Sequence, residues 1–495
     1  MSIKAVIKHV NEIGVKETLD IHKQRKENRS LPPTPPGMSS AEKKDFKDLK
    51  EAAAFQAALE QQKLAEQSDT DRPILDLQAA LLQQMTLLAD QETITLLTDE
   101  LLKLEDENET YKHRLKNLYI KELLPKMYKL YASQPVEDKV VFMQPRNGLN
   151  QSCRYCFNKL KEQGKYEVKL CELKRGKVPT VMYYSNALEF IREMATAKAV
   201  FVHESNDLLG YVDIRPETKV VQLWHGCGVI KSIGMSNAGK PDFKTLEEYR
   251  EFPEYNKYDI VTIASEAFRW IFEEFMGLEK GDPVIQPIGV SRTDEFFDEE
   301  YIENCFAKLR ENVPQSEGKK IILYAPTYRG VDPDRVAPDA LDIEKFADAL
   351  SDDYILIIKQ HQTAKDLPEI PEKYRDKFAF DMTRGRGMNI NELMTVSDIC
   401  ISDYSSVVYE FALFERPIIF FTFDIDKYSG ERGLYYSYEE LAEGGPMFTT
   451  NDEMIDYIKN IDTRFDKEKV KRYKEKYMSA CDGHATERII KFIEG

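Results

Sequence analysis

The chain has 495 residues, 42% hydrophobic and 31% charged, enough to bury the cores of about three domains. Its net charge of −17 is opposite in sign to that of proteins that hold nucleic acid by neutralising phosphates, so no nucleic-acid partner is expected. The seven cysteines are scattered, no run of about 18 apolar residues offers a transmembrane helix, and the N-terminus lacks a signal-peptide core, so the expectation is a cytoplasmic protein, soluble or peripheral.

Residues 1–72 read as a helical and flexible N-terminal region. Pro32, Pro33, Pro35 and Pro36 interrupt its polar start, and Ser39–Ser68 is rich in helix formers. Residues 73–135 read as a second helical region. Ile94, Leu97, Leu101, Leu104, Asn108, Tyr111, Leu115 and Leu118 recur at spacings of three and four. Such a seam suits a homodimeric coiled coil through residues 94–118, with Asn108 fixing register, or a helical hairpin packed within the chain. Its end is basic, with Lys112, Arg114, Lys116, Lys121, Lys126 and Lys129 among apolar residues. That segment either lies on the inner membrane surface or covers the protein's core with its lysines solvated.

From residue 136 the pattern is α/β. Apolar runs recur at Lys139–Gln144, Tyr166–Leu173, Thr180–Ser185, Ala199–His203, Lys219–His225 and Asp259–Ala264. Helical stretches at Ser152–Glu162, Asn186–Ala195 and Ser265–Met276 lie between some of them. Pro283–Gly289 is a further short strand or a linker. Runs at Lys320–Tyr328, Tyr354–His361, Phe378–Asp381, Ile399–Ser402 and Ile418–Phe423 form a second series. Alternation of this kind predicts parallel sheets covered by helices. Two Rossmann-like domains, 136–282 and 283–495, in a glycosyltransferase-B-type arrangement fit it, with ligands at the carboxyl ends of the strands.

Those strand ends carry the candidate residues. His225 follows Trp224 at the end of one run, with Lys231 beyond it; it suits proton removal from a hydroxyl or a structural hydrogen bond. Arg292 can fork onto a phosphate or pair with an acid such as Asp294. Thr327 and Arg329 close the next series, where Thr327 lines a pocket or caps a turn. Lys359 and His361 end the strand after that. Then comes Val396–Leu434: a strand at Ile399–Ser402, a turn at Asp403-Tyr404-Ser405-Ser406, a helix over Val407–Phe414 stopped before Pro417, a strand at Ile418–Phe423 and a loop containing Arg432. The serines stand where a helix start offers N–H donors, to bind a phosphate or to cap the helix. Cys153 and Cys156 form a CxxC with no second pair or nearby His, so a reduced thiol pair is expected. The Asp residues lie singly in loops with no ligand-like spacing, so the sequence assigns no cofactor and leaves metal dependence unread.

Five pieces in order resemble the CDP-glycerol glycerophosphotransferase family of teichoic acid primases and polymerases. They are WHG…K at Trp224–Lys231, GxxRxD at Gly289–Asp294, YAPTYR at Tyr324–Arg329, KxH at Lys359–His361, and the segment from Ser397-Asp398 through Asp403, Ser405-Ser406, Arg416-Pro417 and Asp424 to Arg432-Gly433. The resemblance implies transfer of a polyol phosphate from CDP-glycerol or CDP-ribitol to a hydroxyl of a lipid-linked polymer or glycan, with release of CMP at the cytoplasmic membrane face. It implies His225 as general base, with Trp224 and Lys231 on the acceptor side. It implies that His361 contacts the donor phosphates and that Ser405, Ser406, Arg292 and Arg432 help to hold the donor; Thr327, Arg329, Lys359 and Asp403, at or next to strand ends, are the further donor-side candidates. Domain 136–282 then takes the acceptor and 283–495 the CDP donor. Three residues depart from the pattern: Cys227 where Thr is usual, Gln362 where Pro is usual, and Glu410 where Asp is common. The alternatives are a nucleotide-sugar glycosyltransferase of the same fold and a non-catalytic scaffold for envelope assembly.

Overall fold

The computed structural model describes residues 118–177, 180–240, 243–251, 253–330, 334–361, 363–384 and 387–495. The N-terminal region 1–72 and the heptad seam up to Leu115 lie outside the described residues.

Two six-stranded parallel sheets form the body. The first contains β1 (Glu137–Gln144), β2 (Glu167–Glu172), β3 (Ala197–Val202), β4 (Lys219–Gln222), β5 (Ile260–Thr262) and β6 (Ile285–Gln286), in the order β2-β1-β3-β4-β5-β6. The second contains β7 (Lys320–Tyr324), β8 (Tyr354–Ile358), β9 (Ala379–Asp381), β10 (Ile399–Ser402), β11 (Ile418–Phe421) and β12 (Met447–Phe448), in the order β12-β11-β10-β7-β8-β9. Strands such as β8, β10 and β11 are buried along their whole length, as parallel strands covered on both faces must be. Each sheet reverses its strand order once, between β1 and β3 and between β7 and β10. Ligand crevices open at such reversals, beyond the carboxyl ends of the strands.

Four expectations are corrected. Thr180–Ser185 is not a strand but the first part of the helix Thr180–Ala195. Its aromatic start suits either state, but Tyr184, Ala187, Leu188, Ile191, Met194 and Ala195 recur at helical spacing and are buried. Strand β6 completes the first sheet, so that unit runs past residue 282. The stretch after β11 is not a loop but the helix Ile425–Arg432. Finally, the last helix, Ala485–Glu494, returns to the first domain. Its Ile489, Ile490 and Ile493 join a core with Val140, Phe142 and Leu160. The Asp294 carboxylate caps it by accepting the N–H groups of Ala485 (3.1 Å) and Thr486 (2.7 Å).

The basic segment ahead of β1 includes the helix Leu124–Ala132. Leu124, Met127 and Tyr128 are buried against the first domain. The Arg215 backbone N–H donates to the Tyr128 hydroxyl at 2.9 Å, and the Arg215 guanidinium donates to the carbonyls of Ala132 and Gln134. The apolar face of this helix is thus taken up by protein. Lys112, Arg114 and Lys116 of the same segment lie outside the described residues.

Candidate active site

The loop after β4 is built to expose one imidazole. Gln222 Oε1 accepts the Trp224 N–H at 2.9 Å, and Trp224 takes a left-handed backbone with φ of 58°. An aromatic residue rarely holds that conformation without compensation. Here the indole is buried against Phe272 and Phe275, with ring centroids 5.3 and 5.1 Å away. The same turn leaves His225 exposed in the cleft. Trp224 therefore anchors the loop in the core rather than lining the acceptor side. Protein crowds His225 from several directions, and this desolvation lowers its pKa below the ordinary value. The Glu204 carboxylate pulls the other way, favouring the charged ring.

Glu204 stands just beyond β3, at the first sheet's reversal, and no sequence pattern marks it. It is adjacent to His203, whose Nε2 is 3.6 Å from Glu204 Oε1 and whose Nδ1 is 3.7 Å from Cys153 Sγ. Burial pushes the Cys153 thiol up to about 12, and Cys156 is also raised, so the CxxC pair is a pair of protonated core thiols.

On the second domain, most of the expected donor ligands are engaged with protein. Arg329 Nε and Nη2 fork onto Asp424 at 2.6 and 2.9 Å, Nη2 also donates to Asp403 at 2.9 Å, and Nη1 donates to the Thr327 carbonyl at 2.6 Å. The rings of Tyr404, Phe423 and Tyr428 surround it at about 5 Å. Asp403 also accepts the N–H groups of Thr327 (2.7 Å) and Tyr404 (2.6 Å). This knot ties the end of β7 to the end of β10, setting the turn rather than offering a free guanidinium. Lys359 donates to the carbonyls of Met382 and Met388, and burial lowers its pKa. Arg292 is likewise buried, donating to the His225 carbonyl at 2.9 Å and to Asn391 Oδ1 at 2.5 Å. Arg292, Arg329, Lys359 and Asp403 thus shape the site from behind. Thr327 is buried, and its hydroxyl has no hydrogen-bond partner. Arg432 ends the helix Ile425–Arg432, and its side chain lies outside what is described.

The two halves meet at the serines. Ser406 begins the helix Val407–Ala412 without capping it, while Ser405 Oγ lies 3.5 Å from the Val407 nitrogen. A Cβ on Gly226, next to His225, would stand 3.4 Å from Ser406 Oγ. One on Gly228 would run into the Tyr409 ring and stand 2.8 Å from Phe268. Gly228→Ala should therefore destabilise the fold by about 1–3 kcal/mol through overpacking, read as a lowered denaturation midpoint.

His361 is exposed on the second domain, with its ring centroid 4.9 Å from that of Tyr328. The Thr363 backbone nitrogen lies 3.3 Å and its hydroxyl 2.8 Å from Nδ1, and a ring that accepts the N–H there carries its neutral-state proton on Nε2. Desolvation, then the charges of Arg335, Lys231 and Arg146, push its pKa down to about 4. Lys231 and Arg335 flank the same Tyr328 ring at 5.3 and 4.8 Å. Lys231 comes from the first domain, where its strand-like pairing with Leu434 stitches the domains together. It therefore faces His361 rather than belonging to the acceptor side alone. Arg146 and Arg335 are not singled out by the sequence, because isolated arginines in loops carry no pattern. The cleft thus holds a neutral imidazole backed by a carboxylate on one wall. The second domain holds a neutral imidazole that feels three cations, two of them from the first domain, a setting that attracts a phosphorylated ligand. Among the described residues no group of three or more His, Cys, Asp or Glu side chains is placed to hold a metal ion.

The chain is 32% identical over 308 residues to a teichoic acid poly(ribitol-phosphate) polymerase of Bacillus spizizenii, an alignment covering 62% of this chain and about half (48%) of that protein. It is 29% identical over 381 residues to a teichoic acid ribitol-phosphate primase of the same species, covering 76% of this chain and 96% of the primase. It shares its fold with the wall teichoic acid polymerase TagF, with a TM-score of 0.60 and 24% identity, over 78% of this chain and 96% of that one. The family profile described as CDP-Glycerol:Poly(glycerophosphate) glycerophosphotransferase matches residues 126–495, which include both sheets and every motif of the cleft, and the chain belongs to that family.

Proposed function

We propose that the protein transfers a polyol phosphate from a CDP-polyol to a hydroxyl of a teichoic-acid-type acceptor and releases CMP. The observation that carries this reading is the close packing of Gly226, next to His225 on the loop after β4, against Ser406, in the turn that follows β10. In the reaction, the acceptor oxygen attacks the β-phosphorus of the donor. The bond from that phosphorus to the bridging oxygen of CMP breaks, and His225 takes the acceptor proton. His361 donates from Nε2 to a phosphoryl oxygen, and Lys231, Arg335 and Arg146 offset the charge that builds up there. Ser405 and Ser406 lie within reach of the same phosphates. Arg292, Arg329, Lys359 and Asp403 hold the walls. The acceptor hydroxyl, on a lipid-linked polymer or a glycan, approaches from the first domain.

The test is CMP release from CDP-glycerol and from CDP-ribitol, each with and without a polyol-phosphate acceptor. The family description names glycerol phosphate, while both relatives above carry ribitol-phosphate names, so the preferred donor is the first result to read. Acceptor-dependent CMP from either donor supports the proposal. Folded protein that binds neither donor and releases no CMP overturns it.

The acid side of the rate profile is a further prediction. The His225 pKa is lowered from 6.5, so kcat/KM should fall with acid only below that value. Removing the Glu204 charge withdraws the group that favours protonated His225. Glu204→Gln should therefore move the acid limb to still lower pH, which a pH–rate series on both proteins measures. Stability follows the same sign. A depressed histidine pKa means the unfolded chain binds protons first as pH falls. For His361 the contribution is complete above about 6.5 and is lost as pH drops towards 4.

A further inference from the structure

One buried charged pair behind the cleft has no part in the chemistry above. Glu410, on the helix Val407–Ala412, is 2% exposed. Its Oε1 accepts the Cys227 backbone N–H at 3.3 Å. On the other side of Gly226, the His225 carbonyl accepts from Arg292 Nη1 at 2.9 Å. Arg292 Nη2 lies 3.9 Å from Glu410 Oε1. The residues on either side of Gly226 are thus gripped by the two members of one buried ion pair. Close packing of Gly226 on Ser406 and of Gly228 on Tyr409 presses the loop to the same helix.

The pair is a poor device for stability. Glu410 Oε2 and Arg292 Nε are buried without hydrogen-bond partners. Replacing a thinly partnered buried ion pair with apolar groups of similar volume is often neutral or stabilising. The neighbours Val408, Tyr409 and Phe411 are buried hydrophobics, so packing alone calls for an apolar side chain here. What an apolar residue cannot do is accept the Cys227 N–H and orient Arg292. We infer that Glu410 is a positioning residue for His225, holding the catalytic loop in register with the helix that begins at the Ser405-Ser406 turn. The base and the donor-side turn are thereby set as one unit. The inference rests on His225 being the base.

A double-mutant cycle in the full chain tests it, using Glu410→Ala, Glu410→Met, Glu410→Gln, His225→Ala and the Ala/Ala pair. Acceptor-dependent CMP release gives kcat and donor KM, and calorimetry gives the donor Kd. Glu410→Ala should lower kcat by about 100-fold, the effect of a displacement on the order of 1 Å, while donor KM and Kd stay close to wild type. Glu410→Met keeps the volume without an acceptor and should match it, and it serves as the test if the alanine variant does not fold. Glu410→Gln, whose amide oxygen still accepts from Cys227, should keep most of the rate. On the His225→Ala background the alanine change should do nothing further. An unchanged kcat in a folded Ala or Met variant overturns the inference. So does a loss on that background equal to the loss in wild type, since Glu410 would then act elsewhere. Full turnover in His225→Ala alone would overturn the base assignment instead, and it is read before the cycle.

Discussion

His225→Ala should lower acceptor-dependent CMP release by about 10²–10⁴-fold, the usual contribution of a positioned acid or base, and leave donor affinity close to wild type. The geometry gives both halves of that expectation. The imidazole is exposed in the cleft and kept neutral by its surroundings, so it is ready to accept a proton near neutral pH. Glu204 then stabilises the imidazolium that forms, without competing for the role, because its own pKa is lowered by His203 and by the neighbouring charges. The loop does not depend on the imidazole. Its shape is set by the Trp224 indole in the core, by Gln222 on the Trp224 N–H, and by Arg292 on the His225 carbonyl, all of which survive the substitution. The proposed phosphate contacts come from His361, Lys231, Arg335 and the serines, which also survive. Calorimetry with CDP-glycerol and CDP-ribitol checks the affinity, and initial rates check the turnover. Retained turnover would remove His225 from the mechanism. Lost donor binding would place it against the phosphates instead.

That much of this site is legible in the sequence follows from the kind of constraint each residue answers to. His225, His361 and the Ser405-Ser406 turn stand at the ends of apolar runs, and in a parallel sheet those ends face the crevice. Periodicity alone therefore places them. The strand Ile399–Ser402 and the helix beginning at Val407 are readable for the same reason. The roles of Arg292 and Arg329 are not, since a guanidinium forks equally well onto a phosphate or a carboxylate. Only the fold shows that Asp424, 95 residues on, closes around Arg329. Glu204, Arg146 and Arg335 are single charges in loops, and the reversal between β1 and β3 that brings the loops of Arg146 and Glu204 together is a property of the whole first sheet. The boundary after residue 282 fails for a related reason. A break in pattern marks where one series of strands stops, but not that the chain's last helix comes back to cover the first sheet.

Arg329→Ala should give the largest loss of stability among these changes, about 3–5 kcal/mol, the range for removing one partner of a buried ion pair. The reason is what stays behind. Asp403 is 2% exposed and Asp424 is mostly covered, and both lose the cation between them. Asp403 keeps the Thr327 and Tyr404 N–H groups, but Asp424 keeps little beyond the Tyr404 hydroxyl at 3.1 Å. The stacked rings of Tyr404 and Tyr428, with centroids 3.9 Å apart, lose the guanidinium packed near both. For a domain of this size the loss lowers the thermal midpoint by on the order of 10 °C. Arg329→Lys should recover only part of it, because an ammonium cannot fork onto Asp424 while reaching Asp403 and the Thr327 carbonyl. The comparison separates a wall from a ligand. A wall residue lowers the melting temperature and leaves the surviving folded protein with a near-normal donor KM. A direct phosphate ligand raises donor KM and leaves the melting temperature nearly where it was. With four hydrogen bonds already made to Asp424, Asp403 and Thr327, Arg329 should behave as the wall.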